Sequence, residues 1–407
     1  MIKRKKLIII VLIFLGLLGL FVIQKYHKNH GVSKEKSDYV ETFQLSGHGL
    51  LRIQKWRIPI VERAYSTGPF LKLRDNSFLI STRLGEIYLV KIQNHKLITT
   101  KIYSLALGPH KLEMENDRGE DISDSGVKDL KVNGGNLYLS ASYYYSQKNC
   151  YTLKLFHANF TNATVKNMEQ VWESQPGCIK GSPSVAGELG GKFAVLSNGD
   201  VMIGVGGGDV DKLVNEPSSD YGKVLVLHFD GNKVIAKKIF TTGHRNPSGV
   251  YVDDSSGKVY ETEHGPTGGD EINELVHGKN YGWPNVTYGM SPKPPDEYIA
   301  RKEEYTHVGY SPPLFSWVPS IGVSGVSVMN KNQQFPKWND DIFVGSLSGT
   351  NEAGQSLYRL HSEHGVINLL ERIKLEDRVR SLIVSNDGSI WFKTDSQYIG
   401  KVTKASD

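Results

Sequence analysis

Beyond residue 30 the chain shows almost no apolar spacing of helical period. One short phrase recurs instead: a polar or glycine turn, then a strand of alternating or continuous apolar residues. It reads NSFLIST from Asn76, GNLYLSA from Gly135, GDVMIGV from Gly199, GKVYETE from Gly257, DDIFVGS from Asp340 and GSIWFKT from Gly388. A second strand often follows, as in GEIYLVKI from Gly85, GKVLVLHF from Gly222, QSLYRLH from Gln355 and QYIGKV from Gln397. The starts lie 59, 64, 58, 83 and 48 residues apart. A spacing of roughly 60 residues suits a four-stranded blade with its loops. The pattern therefore predicts an all-β, six-bladed β-propeller over residues 46–407. A β-sandwich with a second domain is the rival, but evenly spread phrases with no linker between them favour a ring. The 83-residue interval predicts a loop-rich insertion, Tyr288 to Pro313, over one mouth of that ring.

The first 30 residues break the pattern. Leu7 to Ile23 is an unbroken apolar run of 17 residues, close to the shortest helix that spans a bilayer. Lys3, Arg4, Lys5 and Lys6 precede it, which keeps the N-terminus cytoplasmic and sends the rest across. Small residues of a cleavage site do not follow, so an uncleaved transmembrane anchor is expected, with a cleaved signal as the alternative. Either way the remainder is extracytoplasmic, at the cell surface or in a periplasm. Residues 31–45 are read as a polar tether. Export makes Cys150 and Cys178 candidates for a disulfide. If CYTLKLFHA and QVWESQPGC form an even hairpin, Phe156 faces Trp172 and the two cysteines face each other; two separate thiols are the alternative.

Charge refines this picture. The formal net charge is +5, and the first 30 residues carry +6 with no acid, so the rest carries −1. The exported part has no claim on a polyanion, and nucleic acid is not expected as a partner. The 13 histidines form no HExxH or Cys/His cluster, which argues against zinc. IGVGGGD, Ile203 to Asp209, is glycine-rich, but no helical pattern follows it to cradle a phosphate.

The densest polar chemistry is GHRNPSG, Gly243 to Gly249, followed by EHGPTGGDEIN and NYGWP within Glu263 to Gly289. Arg245 offers a forked donor to a carboxylate or a quinone oxygen, and Asn246 both donates and accepts. Gly265 and Pro266 leave main-chain carbonyls free for a hard cation, beside the carboxylates of Asp270 and Glu271; that composition suits Ca²⁺. These motifs resemble those of the soluble quinoprotein aldose (glucose/sorbosone) dehydrogenases, six-bladed propellers that bind pyrroloquinoline quinone and calcium and oxidise sugars. The resemblance is strong over residues 243–289 and diffuse over the rest of the propeller.

The resemblance implies that Arg245 and Asn246 bind the quinone and that Gly265 and Pro266 offer carbonyls to its calcium. It places Glu271 and Tyr281, with Asp270 beside them, at a second, structural calcium site. DRVRSL resembles the family's paired-arginine strand, in which Arg378 and Arg380 point the same way and meet the quinone's carboxylates. Three positions depart from the family. Its catalytic histidine aligns with Glu188 in AGELGGKF, its glutamine with Asp124 in SDSG, and a quinone-contacting lysine with Ser348 in GSLSG. Sugar oxidation needs a base for the hydroxyl proton, and Glu188 is the candidate substitute. Asp124 and Glu188 also bring negative charge to where a tricarboxylate should sit. Two functions follow: PQQ-dependent oxidation of an aldose-type sugar with Ca²⁺, its electron acceptor unspecified, or a calcium-binding propeller without catalysis that binds carbohydrate or protein.

Overall fold

A computed structural model describes residues 37–60, 68–73, 77–107, 112–115, 121–123, 125–180, 187–207, 210–290, 307–347 and 353–405. The apolar run Leu7–Ile23 lies outside these residues, as do Asp124, Ser348 and most of the insertion, 291–306. Among the described residues no helix is long and apolar enough to cross a membrane.

Six antiparallel sheets make six blades. The first holds β3 (Phe70–Lys72), β4 (Ser77–Ser81), β5 (Glu86–Gln93) and β6 (Lys96–Ser104). A two-stranded sheet, β7 (Leu112–Glu115) with β8 (Asp121–Ser123), precedes the second blade of β9 (Gly126–Asn133), β10 (Asn136–Tyr145), β11 (Cys150–Thr161) and β12 (Thr164–Glu173). The third is β13 (Gly190–Val195), β14 (Val201–Val205), β15 (Lys223–Asp230) and β16 (Lys233–Thr242). The fourth is β17 (Pro247–Val252), β18 (Val259–Glu263), β19 (Asp270–Leu275) and β20 (Phe315–Trp317). The fifth is β21 (Val323–Val328), β22 (Ile342–Ser346), β23 (Ser356–Glu363) and β24 (Val366–Lys374). The sixth joins the two ends of the propeller: β25 (Val379–Val384), β26 (Ile390–Thr394) and β27 (Tyr398–Lys404) pair on with β2 (Gly49–Arg57) and β1 (Tyr39–Ser46). The propeller therefore begins at Tyr39, inside the stretch read as a tether.

The first strand of each blade packs against the first strands of its neighbours, and these contacts close into a cycle. Burial falls outward from that axis. The second strands β14, β18, β22 and β26 are buried at every position, whereas the fourth strand β16 is mostly exposed. Apolar clusters fill the seams between neighbouring blades, such as Tyr151, Leu153, Phe193 and Ile203 between blades two and three. A sheet face buried against the next blade is what stabilises each blade, since none has a core of its own.

Cys150 and Cys178 form a disulfide with Cα atoms 5.5 Å apart. The strands leading to it do not keep the even register. Trp172 pairs with Leu155, not Phe156, because the ladder leaves the turn with Thr161 opposite Thr164 and the two bulges that follow shift it by only two residues. A one-turn helix, α1 (Asp211–Asn215), follows the glycine-rich segment where no helical pattern was evident. Five residues are too few to supply an anion-binding terminus. The glycines there serve packing: a Cβ on Gly207 would meet Val214 Cγ2 at 2.3 Å.

Candidate active site

Glu188 lies in the turn entering β13. That turn is pressed against the end of β14, where a Cβ on Gly206 would meet the Glu188 carbonyl oxygen at 1.9 Å. Only glycine at 206 leaves room for it. Arg245, between β16 and β17, reaches across the blade seam, and its Nη2 donates to Glu188 Oε1 at 2.8 Å. Its Nη1 donates to the carbonyls of His264 (3.3 Å) and Gly265 (3.2 Å). Its guanidinium also stands over the Trp283 ring, 5.5 Å from the centroid. Its own backbone N–H donates to Glu263 Oε2 at 2.5 Å. The arginine is thus fixed at several points, and one of the carbonyls that the motif offers to calcium faces it.

Arg378 and Arg380 sit at the start of β25. Both are held by Asp395, which follows β26: Arg378 Nε at 2.8 Å, Arg380 Nε at 2.9 Å and Arg380 Nη2 at 2.6 Å. Burial alone pushes the Asp395 carboxyl up, but the two guanidiniums outweigh it and hold it at about 2. A carboxyl held there, below its ordinary 3.8, contributes roughly 2 kcal/mol of stability. Because the folded value is depressed, that contribution is complete above pH about 4 and is lost as pH falls towards 2. Asp395→Asn is expected to lose it at pH 7 and to show a smaller decline between pH 4 and 2 than the native chain. Thermal melts across that range measure both.

His264 shares this end of the ring. Burial lowers its pKa, Asp270 opposes that, and Arg245, Arg380 and Arg378 lower it further. Burial likewise lowers the Lys128 pKa on β9, Arg83, Lys192 and Arg380 lower it further, and Glu188 opposes them. Glu188, Arg245, Arg378 and Arg380 therefore meet at one mouth. Asn246 is half-buried there, and its carbonyl accepts the His264 N–H at 3.2 Å.

The proposed calcium residues divide. Asp270 Oδ2 accepts the backbone N–H groups of Ile321, Gly322 and Val323 at 2.7 to 3.2 Å, and Oδ1 accepts that of Gly265 at 3.2 Å. It fastens the Gly265 loop to the start of blade five. The Tyr281 hydroxyl donates to the Glu274 carbonyl at 2.7 Å and accepts the Val276 N–H at 3.0 Å, so it points along the blade. Glu271 lines a small cavity with Gly243, Arg245, Glu263, Tyr281 and Thr287. Beside it on the same face of β18 and β19 lie Glu261, Glu263 and Asn273. Asn273 Nδ2 donates to Glu261 Oε2 at 3.0 Å and to Glu263 Oε1 at 3.1 Å. His244 Nδ1 is 3.2 Å from Glu263 Oε1. Burial, then the Glu263 charge, pushes the Glu261 and Glu271 carboxyls well up. Glu261 Oε1 and Asn273 Oδ1 are buried without a hydrogen-bond partner. His244 Nδ1 and the Glu261 and Glu263 carboxylates bring their ligand atoms within 4.8 Å of one another, and this donor set, mostly carboxylate oxygen with one imidazole, can hold a divalent cation.

Sequence reasoning missed Asp395, Glu261, Glu263, His244 and Trp283. The glutamates had a signal: alternate acids in YETE point to one face of a strand that is otherwise apolar. Asp395 had none, being one more polar residue in a turn.

The fold is a six-bladed propeller, and Glu188, Arg245, Arg378 and Arg380 cluster with main-chain carbonyls at one end of its axis. The chain belongs to the Glucose / Sorbosone dehydrogenase family, which matches residues 69–403. It is 30% identical to the aldose sugar dehydrogenase YliI of Escherichia coli K12 over 240 residues, 55% of this chain and 61% of that protein. It is 45% identical to quinoprotein glucose dehydrogenase B of Acinetobacter calcoaceticus over 73 residues, 16% of this chain and 15% of that one. The chain thus matches between 15% and 61% of the length of these curated relatives. By structure it resembles the apo form of the soluble Escherichia coli aldose sugar dehydrogenase, with TM-score 0.68 and 22% identity, covering 87% of this chain and 100% of that one. It likewise resembles the PQQ-bound aldose sugar dehydrogenase of Streptomyces coelicolor, with TM-score 0.59 and 15% identity, covering 86% and 98%. At those identities the structural likeness speaks for the fold.

Proposed function

We propose that this chain is a PQQ-dependent sugar dehydrogenase that oxidises an aldose-type sugar with Ca²⁺ bound, on the extracytoplasmic side of a membrane in which Leu7–Ile23 anchors it. Family membership supports the sugar-dehydrogenase class. The observation that carries the finer reading is the convergence of Arg245, Arg378 and Arg380 on one mouth that also holds Glu188. Three guanidiniums suit the carboxylates and quinone oxygens of PQQ. PQQ, when bound, would supply a two-electron acceptor for the hydride of the sugar's reacting carbon, and a Ca²⁺ beside it would supply Lewis-acid polarisation. Arg245 orients the ligand and holds Glu188 beside it. Glu188 takes the hydroxyl proton as hydride leaves, so the sugar loses one hydride and one proton. Glu261, Glu263 and Glu271, with the Asn273 amide oxygen, would hold a structural Ca²⁺. Export of a disulfide-bearing chain agrees with the proposed compartment.

One observation favours the alternative, a calcium-binding propeller without catalysis: Glu188 is already engaged by Arg245. A titration separates the two. The purified full chain with Ca²⁺ is expected to bind PQQ with micromolar or tighter affinity and then to bleach a redox dye when given an aldose. Calcium binding without quinone binding overturns the enzyme reading. Tight quinone binding with no turnover across a broad sugar panel overturns catalysis alone.

A further inference from the structure

The innermost strands carry a regular irregularity. In β9 the ladder to β10 skips one residue: Asp129 pairs with Ser140 and Val127 with Ala141, leaving Lys128 bulged out between them. In β25 the ladder skips Arg380 in the same way, between Val379 and Ser381. In β13 the ladder breaks between Gly190 and Phe193, the stretch that holds Lys192. A bulge turns a side chain out of the pleat, and bulges gather at barrel rims and beside active sites. Here three blades put a cation at this irregularity. Gly191, at φ +99°, makes room for one of them: a Cβ there would meet Lys128 Cβ at 2.8 Å.

These cations converge. Lys128 lies in the fields of Arg83, Lys192, Arg380 and Glu188, and its Nζ stands 3.5 Å from the Gly187 carbonyl, one residue from Glu188. Lys192 lies in the fields of Lys131, Arg380 and Lys393, with Asp129 4.0 Å away. Like charges are brought together at a cost that a bound anion offsets.

We propose that Lys128, carried on the β9 bulge with Lys192 and Arg380 beside it, anchors a carboxylate of the bound quinone. This rests on the proposed PQQ-dependent function. It also locates a cation that the Ser348 position does not carry. Arg245 then binds from the blade-four side, and the bulge cations bind from blades two, three and six. Burial holds the Lys128 ammonium well below its usual range, with Arg83, Lys192 and Arg380 adding to the effect and Glu188 opposing it. Burial brings Lys192 down to about 8, with Asp129 opposing. A carboxylate placed against Lys128 raises its pKa again, so any proton taken up on binding reports that contact.

Calorimetric titration of the full chain with PQQ, at fixed Ca²⁺ and pH 8 in two buffers of different ionisation enthalpy, reads affinity and proton uptake together. The native chain is expected to take up a proton on binding. Lys128→Met is expected to bind about 30-fold more weakly, with less uptake. Lys128→Arg keeps its charge at all pH and is expected to bind within about threefold of native, also with less uptake. Native-like affinity and native-like uptake in Lys128→Met overturn the proposal while leaving the quinoprotein reading intact. Should Lys128→Met fail to fold, undiminished uptake in Lys128→Arg overturns it instead. A native chain that does not bind PQQ overturns both readings.

Discussion

Glu188→Gln is expected to lower kcat on an aldose by about 10²- to 10⁴-fold, the range for removing a positioned general base. Glutamine keeps the shape of the side chain and an oxygen for Arg245 Nη2, so the turn pressed against Gly206 should persist. PQQ affinity should stay within about tenfold, because Arg245 is also fixed by the His264 and Gly265 carbonyls and by Trp283. Glu188→His places an imidazole where the family pattern has one and should recover part of the loss. The measurement is single-turnover reduction of bound quinone with saturating sugar, which isolates chemistry from dye reoxidation. If Glu188→Gln keeps more than half of the native rate, Glu188 is a partner of Arg245 and no base, and the proton acceptor lies elsewhere in the mouth.

The propeller was legible because of which strands are two-sided. The recurring phrases coincide with β4, β10, β14, β18, β22 and β26, the second strand of every blade. Those strands are covered on both faces by neighbouring blades, so they read as apolar runs after a tight turn. The innermost strands were harder to read. Space at the axis is short, so they carry glycines, and at their bulges they carry Lys128 and Arg380. The outermost strands face solvent and read as polar. Ring closure was not legible at all. The pairing of Ile53 with Val402 joins positions near opposite ends of the propeller, and no local pattern announces it.

The site divides along the same line. Arg245, Asn246 and the Gly265 loop sit in consecutive turns of one blade junction, so their chemistry is local and shows as a motif. The Glu188–Arg245 pair spans 57 residues and crosses a blade seam. Asp395 joins Arg378 and Arg380 across a strand pair. Tertiary pairs of this kind depend on register, and a single bulge changes which residue is aimed inward.

Arg359→Ala is expected to cost about 3–5 kcal/mol, the range for removing one partner of a buried ion pair. Arg359 is 2% exposed and its guanidinium donates to Asp341 Oδ2 at 2.5 Å and Glu371 Oε2 at 2.8 Å, over the Trp338 ring. Asp341 is fully buried. Without the arginine its remaining cationic partner is His361, 2.5 Å away. Glu371 also accepts the Gly47 N–H at 2.8 Å, in the turn between β1 and β2, so the network fastens blade five to the hairpin that closes the ring. Urea denaturation should show the midpoint shift, and hydrogen exchange should rise first in β1 and β2. The Asp341 hydrogen bond raises the His361 pKa against burial. A raised folded value means that stability from His361 is complete below the unfolded value of about 6.5 and is lost as pH rises through the folded one. In Arg359→Ala, His361 alone compensates Asp341, so the deficit should be smaller at pH 6 than at pH 9. Arg359→Met combined with Asp341→Asn should recover much of the loss, since the uncompensated charge is then gone. A cost below about 1 kcal/mol for Arg359→Ala would show that ring closure rests on the β2–β27 ladder and apolar packing alone.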